Sequence, residues 1–124
     1  IEMPNDLKLQ TIDKNTFSDS MIKKIKVPSS VTSIGEDAFY NCCNLCIIEI
    51  PDDSKLQTIG KYAFYESEIK SIRIPSSVTS IGGCAFYKCD NLCIIEIGNS
   101  EMISLYQAAL LDCQNSLLMV PVHS

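Results

Sequence analysis

The sequence predicts a short solenoid: stacked coils of about 23 residues, each adding one short strand to a parallel sheet, with irregular or short-helical backbone on the opposite side. Three observations predict it. A shift of 47 residues lays Val27 to Ile50 on Ile74 to Ile97 with 19 of 24 positions identical. The marker phenylalanines Phe17, Phe39, Phe64 and Phe86 stand 22, 25 and 22 residues apart, so the 47-residue unit is two shorter repeats. Finally, each repeat ends in a period-two apolar segment, as in Ile48-x-Ile50-Pro51, that reads as a strand stopped by proline. A coil of this length cannot form a core alone and must bury its apolar face on its neighbours.

Coils are expected at about 1–27, 28–50, 51–74 and 75–97, in one domain. The pattern is clearest in the second: Val31-x-x-Ile34-Gly35-x-x-Ala38-Phe39, then Cys42, then Leu45-x-x-Ile48-x-Ile50. Its strand has counterparts in Ile22-x-x-Ile25-x-Val27, Ile69-x-x-Ile72-x-Ile74 and Leu92-x-x-Ile95-x-Ile97. Pro28, Pro51 and Pro75 end three strands, and Ser29-Ser30 and Ser76-Ser77 help the chain turn. Gly35, Gly60 and Gly82 mark a second corner, where positive φ is expected to disfavour a side chain; Asp13 holds that place in the first coil. Past Ile97 the pattern fades. Met102, Leu105, Tyr106, Ala109, Leu110 and Cys113 fall at helical spacing, with Asn99 or Ser100 as the cap, so residues 98–124 read as a closing segment over the last core layer. The alternative is a degenerate fifth coil, since Val120-Pro121 echoes Ile-Pro.

Composition excludes several function classes. At 46% hydrophobic and 20% charged, the chain of 124 residues is globular. A net charge of −5 argues against nucleic acid. The one histidine, His123, stands next to the last residue, so a catalytic triad or histidine metal cluster lacks its parts, and no cofactor or catalysis is expected. No run approaches the roughly 18 to 20 apolar residues of a membrane span. Ile1, Glu2, Met3 and Pro4 do not read as a signal peptide, and a chain that begins in mid-pattern is expected to be a piece of a longer protein. Strand-like sequence at that end predicts an open sheet edge and self-association through it.

Cys42, Cys43, Cys46, Cys84, Cys89, Cys93 and Cys113 are odd in number, so at least one stays a thiol. The pairs Cys42-x3-Cys46 and Cys89-x3-Cys93 have metal-ligand character, but they lie two coils, roughly 10 Å, apart, beyond the reach of Zn–S bonds of about 2.3 Å. Cys42 and Cys89 read instead as small buried hydrophobes, with a local bond to Cys46 or Cys93 as the lesser option. Tyr40, Tyr65 and Tyr87, each following a marker phenylalanine, read as half-buried rim residues.

The string Ile-Pro-Ser-Ser-Val-Thr-Ser-Ile-Gly-x-x-Ala-Phe-x-x-Cys-x-x-Leu-x-x-Ile-x-Ile over residues 74–97 resembles the leucine-rich repeat of the BspA-like type, a family of surface proteins of oral and gut bacteria and of trichomonads. The resemblance covers roughly residues 1–97 and departs at Asp13, Thr16, Ser20 and Ser67. It implies a leucine-rich repeat solenoid and a non-catalytic, adhesin-type module at the cell surface that recognises host or matrix proteins such as fibronectin. An intracellular scaffold is the alternative, and it would keep every thiol reduced.

Alternation points Lys24 and Lys26, Ile47 and Glu49, Ser71 and Arg73, and Ile94 and Glu96 away from the core on four strands. One row reads Lys26, Glu49, Arg73, Glu96 and alternates in sign, which would set opposite charges across neighbouring strands. The other, Lys24, Ile47, Ser71, Ile94, exposes two isoleucines with no core role. This sheet face is the candidate protein-binding surface.

Overall fold

The computed structural model describes residues 10–104 and 118–121, without the side chains of Leu118 and Met119. The proposed N-terminal edge at residues 1–9 and the helical pattern from Leu105 to Cys113 lie outside the described residues.

Two strand ladders run along the stack, and every pairing is parallel. The longer strands are β2 (Lys24–Lys26), β4 (Ile47–Glu49), β6 (Ser71–Ile74), β8 (Ile94–Ile97) and β9 (Leu118–Pro121). The register sets Ile25 beside Ile48, Ile72 beside Ile95, and Ile95 beside Met119. Hydrogen bonding divides them into β2-β4 and β6-β8-β9. The shorter strands, β1 (Thr11–Ile12), β3 (Ser33–Ile34), β5 (Thr58–Ile59) and β7 (Ser80–Ile81), form one continuous four-stranded ladder. Ile12, Ile34, Ile59 and Ile81 line up across it and point into the core, while Thr11, Ser33, Thr58 and Ser80 line up on the other face.

Where the sequence suggested irregular or short-helical backbone, the third side is an ordered stack of turns. Alternate N–H groups fold back within the coil, Ala38 to Gly35, Tyr40 to Asp37 and Cys42 to Phe39. The intervening ones, Asp37, Phe39 and Asn41, donate to Lys61, Ala63 and Tyr65 of the next coil. The same alternation occurs from residue 13 to 20 and from 60 to 67. The backbone donors of this side are thereby satisfied without a helix. Helical structure among the described residues is a 3-10 turn at Ser100–Met102, capped by the Asn99 side chain, with Ile103 and Ser104 continuing as α-helix. Beyond it β9 takes the register of a fifth strand, Ile97 beside Pro121, so the strand side continues as in the alternative reading of the C-terminal segment.

One phenylalanine per coil fills the centre. Phe17, Phe39, Phe64 and Phe86 stack with ring centroids 5.3, 5.3 and 5.4 Å apart, all nearly parallel. Phe39, Phe64 and Phe86 are fully buried beside Ala38, Ala63 and Ala85, the small partners that let backbone close over each ring. Burying a ring of this size contributes about 3 kcal/mol or less apiece.

The expectation of positive φ at Gly35, Gly60 and Gly82 is overturned. No glycine has positive φ; the left-handed residues are Asn15 and Asp19, Asp37 and Asn41, Tyr62 and Glu66, Cys84 and Lys88, at φ between 57° and 62°. Two in each coil, four positions apart, turn the chain at the corners of the turn stack. Glycine is required for a different reason: a Cβ on Gly60 would lie 2.5 Å from the Glu36 nitrogen and 2.6 Å from the Gly35 carbonyl carbon. Gly82 meets the Lys61 nitrogen in the same way, so the glycines mark where successive backbones touch. Gly60→Ala is therefore expected to cost about 1–3 kcal/mol by overpacking against rigid backbone. Gly83→Ala, whose Cβ meets nothing within 4 Å, should stay within about 0.5 kcal/mol of the parent. Urea unfolding of both variants checks this, and equal midpoints would refute it.

Candidate protein-binding face

The face is built by strands whose inward residues are fixed by the core. Ile25, Ile48, Ile72 and Ile95 are buried, so period two sends their neighbours outward: Lys24, Ile47, Glu49, Ser71, Arg73 and Ile94 are exposed, Lys26 and Glu96 half-exposed. All eight residues singled out in the sequence thus occupy one face, and register places Lys24 beside Ile47, Lys26 beside Glu49, Ser71 beside Ile94, and Arg73 beside Glu96.

The charges do not pair straight across as the alternating row suggested. Glu49 takes Lys24 diagonally at 3.1 Å. Arg73 turns to Asp52 at 3.0 Å. The cause is local: Asp52 stands after Pro51 where Ser29 follows Pro28 in the same turn, and its carboxylate comes within reach of Arg73. The longer third coil coincides with the break in the long-strand ladder between β4 and β6, and a shallow furrow of about 300 Å³ runs there, lined by Glu49, Ile50, Ser71, Arg73 and others. The exposed pairs contribute a few tenths of a kcal/mol each and hold the polar part of the face in place more than they stabilise the fold.

Ile47 and Ile94 keep 49% and 38% of their surface, with Ser71 set between them on the intervening strand. A small residue flanked by two exposed isoleucines makes an apolar notch. Next to it lies an open groove of about 990 Å³, lined by Lys23, Cys43, Asn44, Cys46, Ile47, Glu68, Lys70, Ser71 and Asn91. Sequence reasoning missed this groove, because its walls come from the segments entering β2, β4, β6 and β8, which only the stacking of coils brings together. It also passed over Met21, the most exposed large apolar side chain at 74%, whose sulfur receives the Asn44 amide at 3.8 Å. An apolar residue just before the half-buried repeat position Ile22 was the available signal.

Cys42 and Cys89 are buried, as expected of small core residues, and their thiols donate to the Phe17 and Phe64 carbonyls of the preceding coil at 3.0 and 2.9 Å. Ser67, where the repeat has cysteine, is also buried and meets the Cys89 sulfur at 3.2 Å. The departure from pattern keeps the same small polar filler. Cys43, Cys46 and Cys93 are exposed, and Cys42, Cys43, Cys46, Cys84, Cys89 and Cys93 are all free thiols. Among the described residues no cluster of three or more His, Cys, Asp or Glu could hold a metal ion, and no helix is long and apolar enough to cross a membrane.

A parallel solenoid with one short strand and one stacked phenylalanine per coil defines the protein as a leucine-rich repeat solenoid. The chain belongs to the BspA-type leucine-rich repeat family: the family model, described as BspA type Leucine rich repeat region, matches residues 2–123 as six copies. Among solved structures it is similar to a leucine-rich cell surface protein of Faecalibacterium prausnitzii, at 31% identity and a TM-score of 0.64 over 72% of this chain and 23% of that one. A leucine-rich repeat protein of Bacteroides capillosus matches at 25% identity and a TM-score of 0.67, over 77% of this chain and 74% of that one. The pneumococcal vaccine antigen PcpA shares the fold at 18% identity, with a TM-score of 0.65 over 97% of this chain and 36% of its own. This chain thus spans about a quarter of the Faecalibacterium protein. No curated protein sequence matches it. The fold is one that binds proteins and is related to bacterial surface proteins; repeat proteins of this kind are generally non-catalytic.

Burial pushes the Cys89 thiol above its ordinary pKa, with Ser67 partly offsetting the rise, and burial does the same to Cys42. A thiol whose folded pKa is raised stabilises fully below the unfolded value, about pH 8.5, and that stability is lost as pH climbs from there toward the folded pKa. Raising the pH from 7.5 to 9.5 should therefore lower the unfolding midpoint of the parent more than that of a Cys42→Ala, Cys89→Ala variant. Parallel losses in urea titrations would show that these thiols do not carry the effect.

Proposed function

We propose that the protein is a non-catalytic, cell-surface recognition module of adhesin type, and that it engages host or extracellular-matrix proteins through the sheet face of Lys24, Lys26, Ile47, Glu49, Ser71, Arg73, Ile94 and Glu96. The observation that carries this reading is the notch of Ile47, Ser71 and Ile94. It presents apolar surface on strands whose inner sides already fill the core, within a rim of Lys24, Glu49 and Arg73 held by ion pairs. Protein interfaces have this composition, an apolar centre with a polar rim. Surface location is supported by the membership in a family whose solved relatives include a cell surface protein. The adjoining groove extends the contact area toward Met21.

A second reading, an intracellular scaffold, draws on the six free thiols, three of them exposed. Disulfides form readily outside the cell, and an exposed thiol is better preserved inside it. A thiol count on freshly isolated protein separates the two, since seven free thiols favour the scaffold.

Binding to immobilised matrix proteins, fibronectin included, is the direct test. The Ile47→Asp, Ile94→Asp variant should fold as the parent does by circular dichroism and lose saturable binding by at least about tenfold, as expected for buried apolar anchors at the centre of an interface. Unchanged binding in the variant removes the sheet face from the account, and no binding by either protein moves the scaffold reading ahead.

A further inference from the structure

A second surface, on the turn stack, carries a more specific reading. Outside the phenylalanine stack runs a tyrosine stack: Tyr40 lies on Tyr65 with centroids 4.6 Å apart at 6°, and Tyr65 on Tyr87 at 5.9 Å and 14°. Tyr62 packs edge-on against both Tyr40 and Tyr65, at 6.5 and 5.8 Å. All four rings are half-buried. The surface already holds cations over its rings, Lys61 over Tyr62 at 5.5 Å and Lys88 over Tyr65 at 5.8 Å, with Lys88 also 3.9 Å from Glu66. Each is an ammonium on an aromatic face, the second with a carboxylate beside it.

The stack stops at Tyr40. In the first coil the position after Phe17 is Ser18, whose hydroxyl donates to the Tyr40 carbonyl at 3.5 Å. Tyr65 covers one face of Tyr40; the other looks along the stack toward a serine, where a ring would have continued the column. No lysine or arginine lies over Tyr40 among the described residues. Burial and the neighbouring Tyr65 hold its hydroxyl above the ordinary tyrosine pKa, and Asp37, Glu66 and Asp19 add to the rise, so its surroundings are nevertheless acidic. Asp19, in the coil of Ser18, is exposed, and the Asn41 amide binds its Oδ1 at 2.8 Å, which fixes the carboxylate and leaves Oδ2 as an acceptor. Asp19 is held in place by its own backbone as well, because its N–H donates to the Tyr40 carbonyl at 2.8 Å.

We propose that the open face of Tyr40 above Ser18, with Asp19 at its edge, is a docking slot for an arginine side chain of a partner protein. A planar guanidinium can take the place of the missing ring, stacking flat on Tyr40 while its N–H groups bind Asp19. A lysine ammonium fits less well, because it has no plane to stack and offers a point charge. An aromatic side chain would fill the space but leave Asp19 unused. The slot is on a different side of the coil from the sheet face and stands whether or not that face binds protein.

The test is fluorescence anisotropy of a fluorescein-labelled peptide of alternating glycine and arginine, beside the same peptide with lysine. The arginine peptide should bind roughly tenfold more tightly than the lysine peptide at low ionic strength, as a stacked, desolvated guanidinium allows. Ser18→Tyr, which extends the tyrosine column into the slot, and Asp19→Asn should each weaken the arginine peptide about five- to tenfold and narrow the difference. Asparagine tolerates the left-handed backbone of Asp19, so this variant decides if Ser18→Tyr does not fold. The Ile47→Asp, Ile94→Asp variant should bind the arginine peptide as the parent does. Equal affinity for the two peptides, no binding at all, or full affinity retained in folded Ser18→Tyr and Asp19→Asn protein overturns the proposal.

Discussion

The structure depends on one constraint: successive coils are joined backbone to backbone on three sides, with the long-strand side interrupted once between β4 and β6, so each residue lies over its counterpart in the coil before. Two sides are strand ladders, and the third is the turn stack, in which every second N–H reaches the next coil. Once that spacing is set, side chains have little freedom. A phenylalanine lies on a phenylalanine, an isoleucine beside an isoleucine, and backbone against glycine, because nothing larger fits between planes about 5 Å apart. The near-identity of residues 27–50 and 74–97 is what such a lattice demands of a sequence.

The same constraint has a cost, and the structure shows where it falls. Eight residues with side chains adopt left-handed backbone, among them Tyr62 and Glu66, types that are not at ease there. The four that are neither Asn nor Asp each cost on the order of 1 kcal/mol relative to glycine. The inter-coil bonds made by Asn15, Asp37 and Tyr62, and by Asp19, Asn41 and Glu66, offset that strain, since these left-handed residues are themselves the donors. A residue freed from requirements of propensity can vary, and these positions do: they read Asn, Asp, Tyr and Cys in one column, and Asp, Asn, Glu and Lys in the other. Variation collects at the corners and on the outer faces, which is where a repeat protein acquires an individual surface.

How much was legible in the sequence follows from this division. Buried positions repeat, so Ile34, Phe39, Leu45 and Ile48 announced the coil, the strand and the direction of its faces, and all eight outward residues of the sheet face could be placed by alternation alone. The second ladder escaped notice because Thr11–Ile12 and its counterparts are only two residues long, too short for a period to show. The left-handed corners escaped for the opposite reason: after Asn and Asp in the first two coils they turn to Tyr62, Glu66, Cys84 and Lys88, and the glycines two positions earlier in three of the four coils suggested a dihedral angle where the cause is a backbone contact. Ion pairing was misread through a single substitution in a turn, since Asp52 stands where the other prolines are followed by Ser29 and Ser76. The tyrosine column was half visible in Tyr40, Tyr65 and Tyr87, but its end at Ser18, and with it the slot, is a property of stacking and not of any one repeat.

The turn stack is the most consequential part of this account, because a sequence reader would take it for loop and the structure makes it a third side of the lattice. Amide hydrogen exchange tests that directly. The N–H groups of Phe39, Asn41 and Phe64 should exchange as slowly as those of Gly60 and Cys46, which bond between coils at the two strand ladders, with all of them protected by about a thousandfold or more over free peptide. Turn amides that exchange at the rate of an open loop while the strand amides stay protected would contradict it.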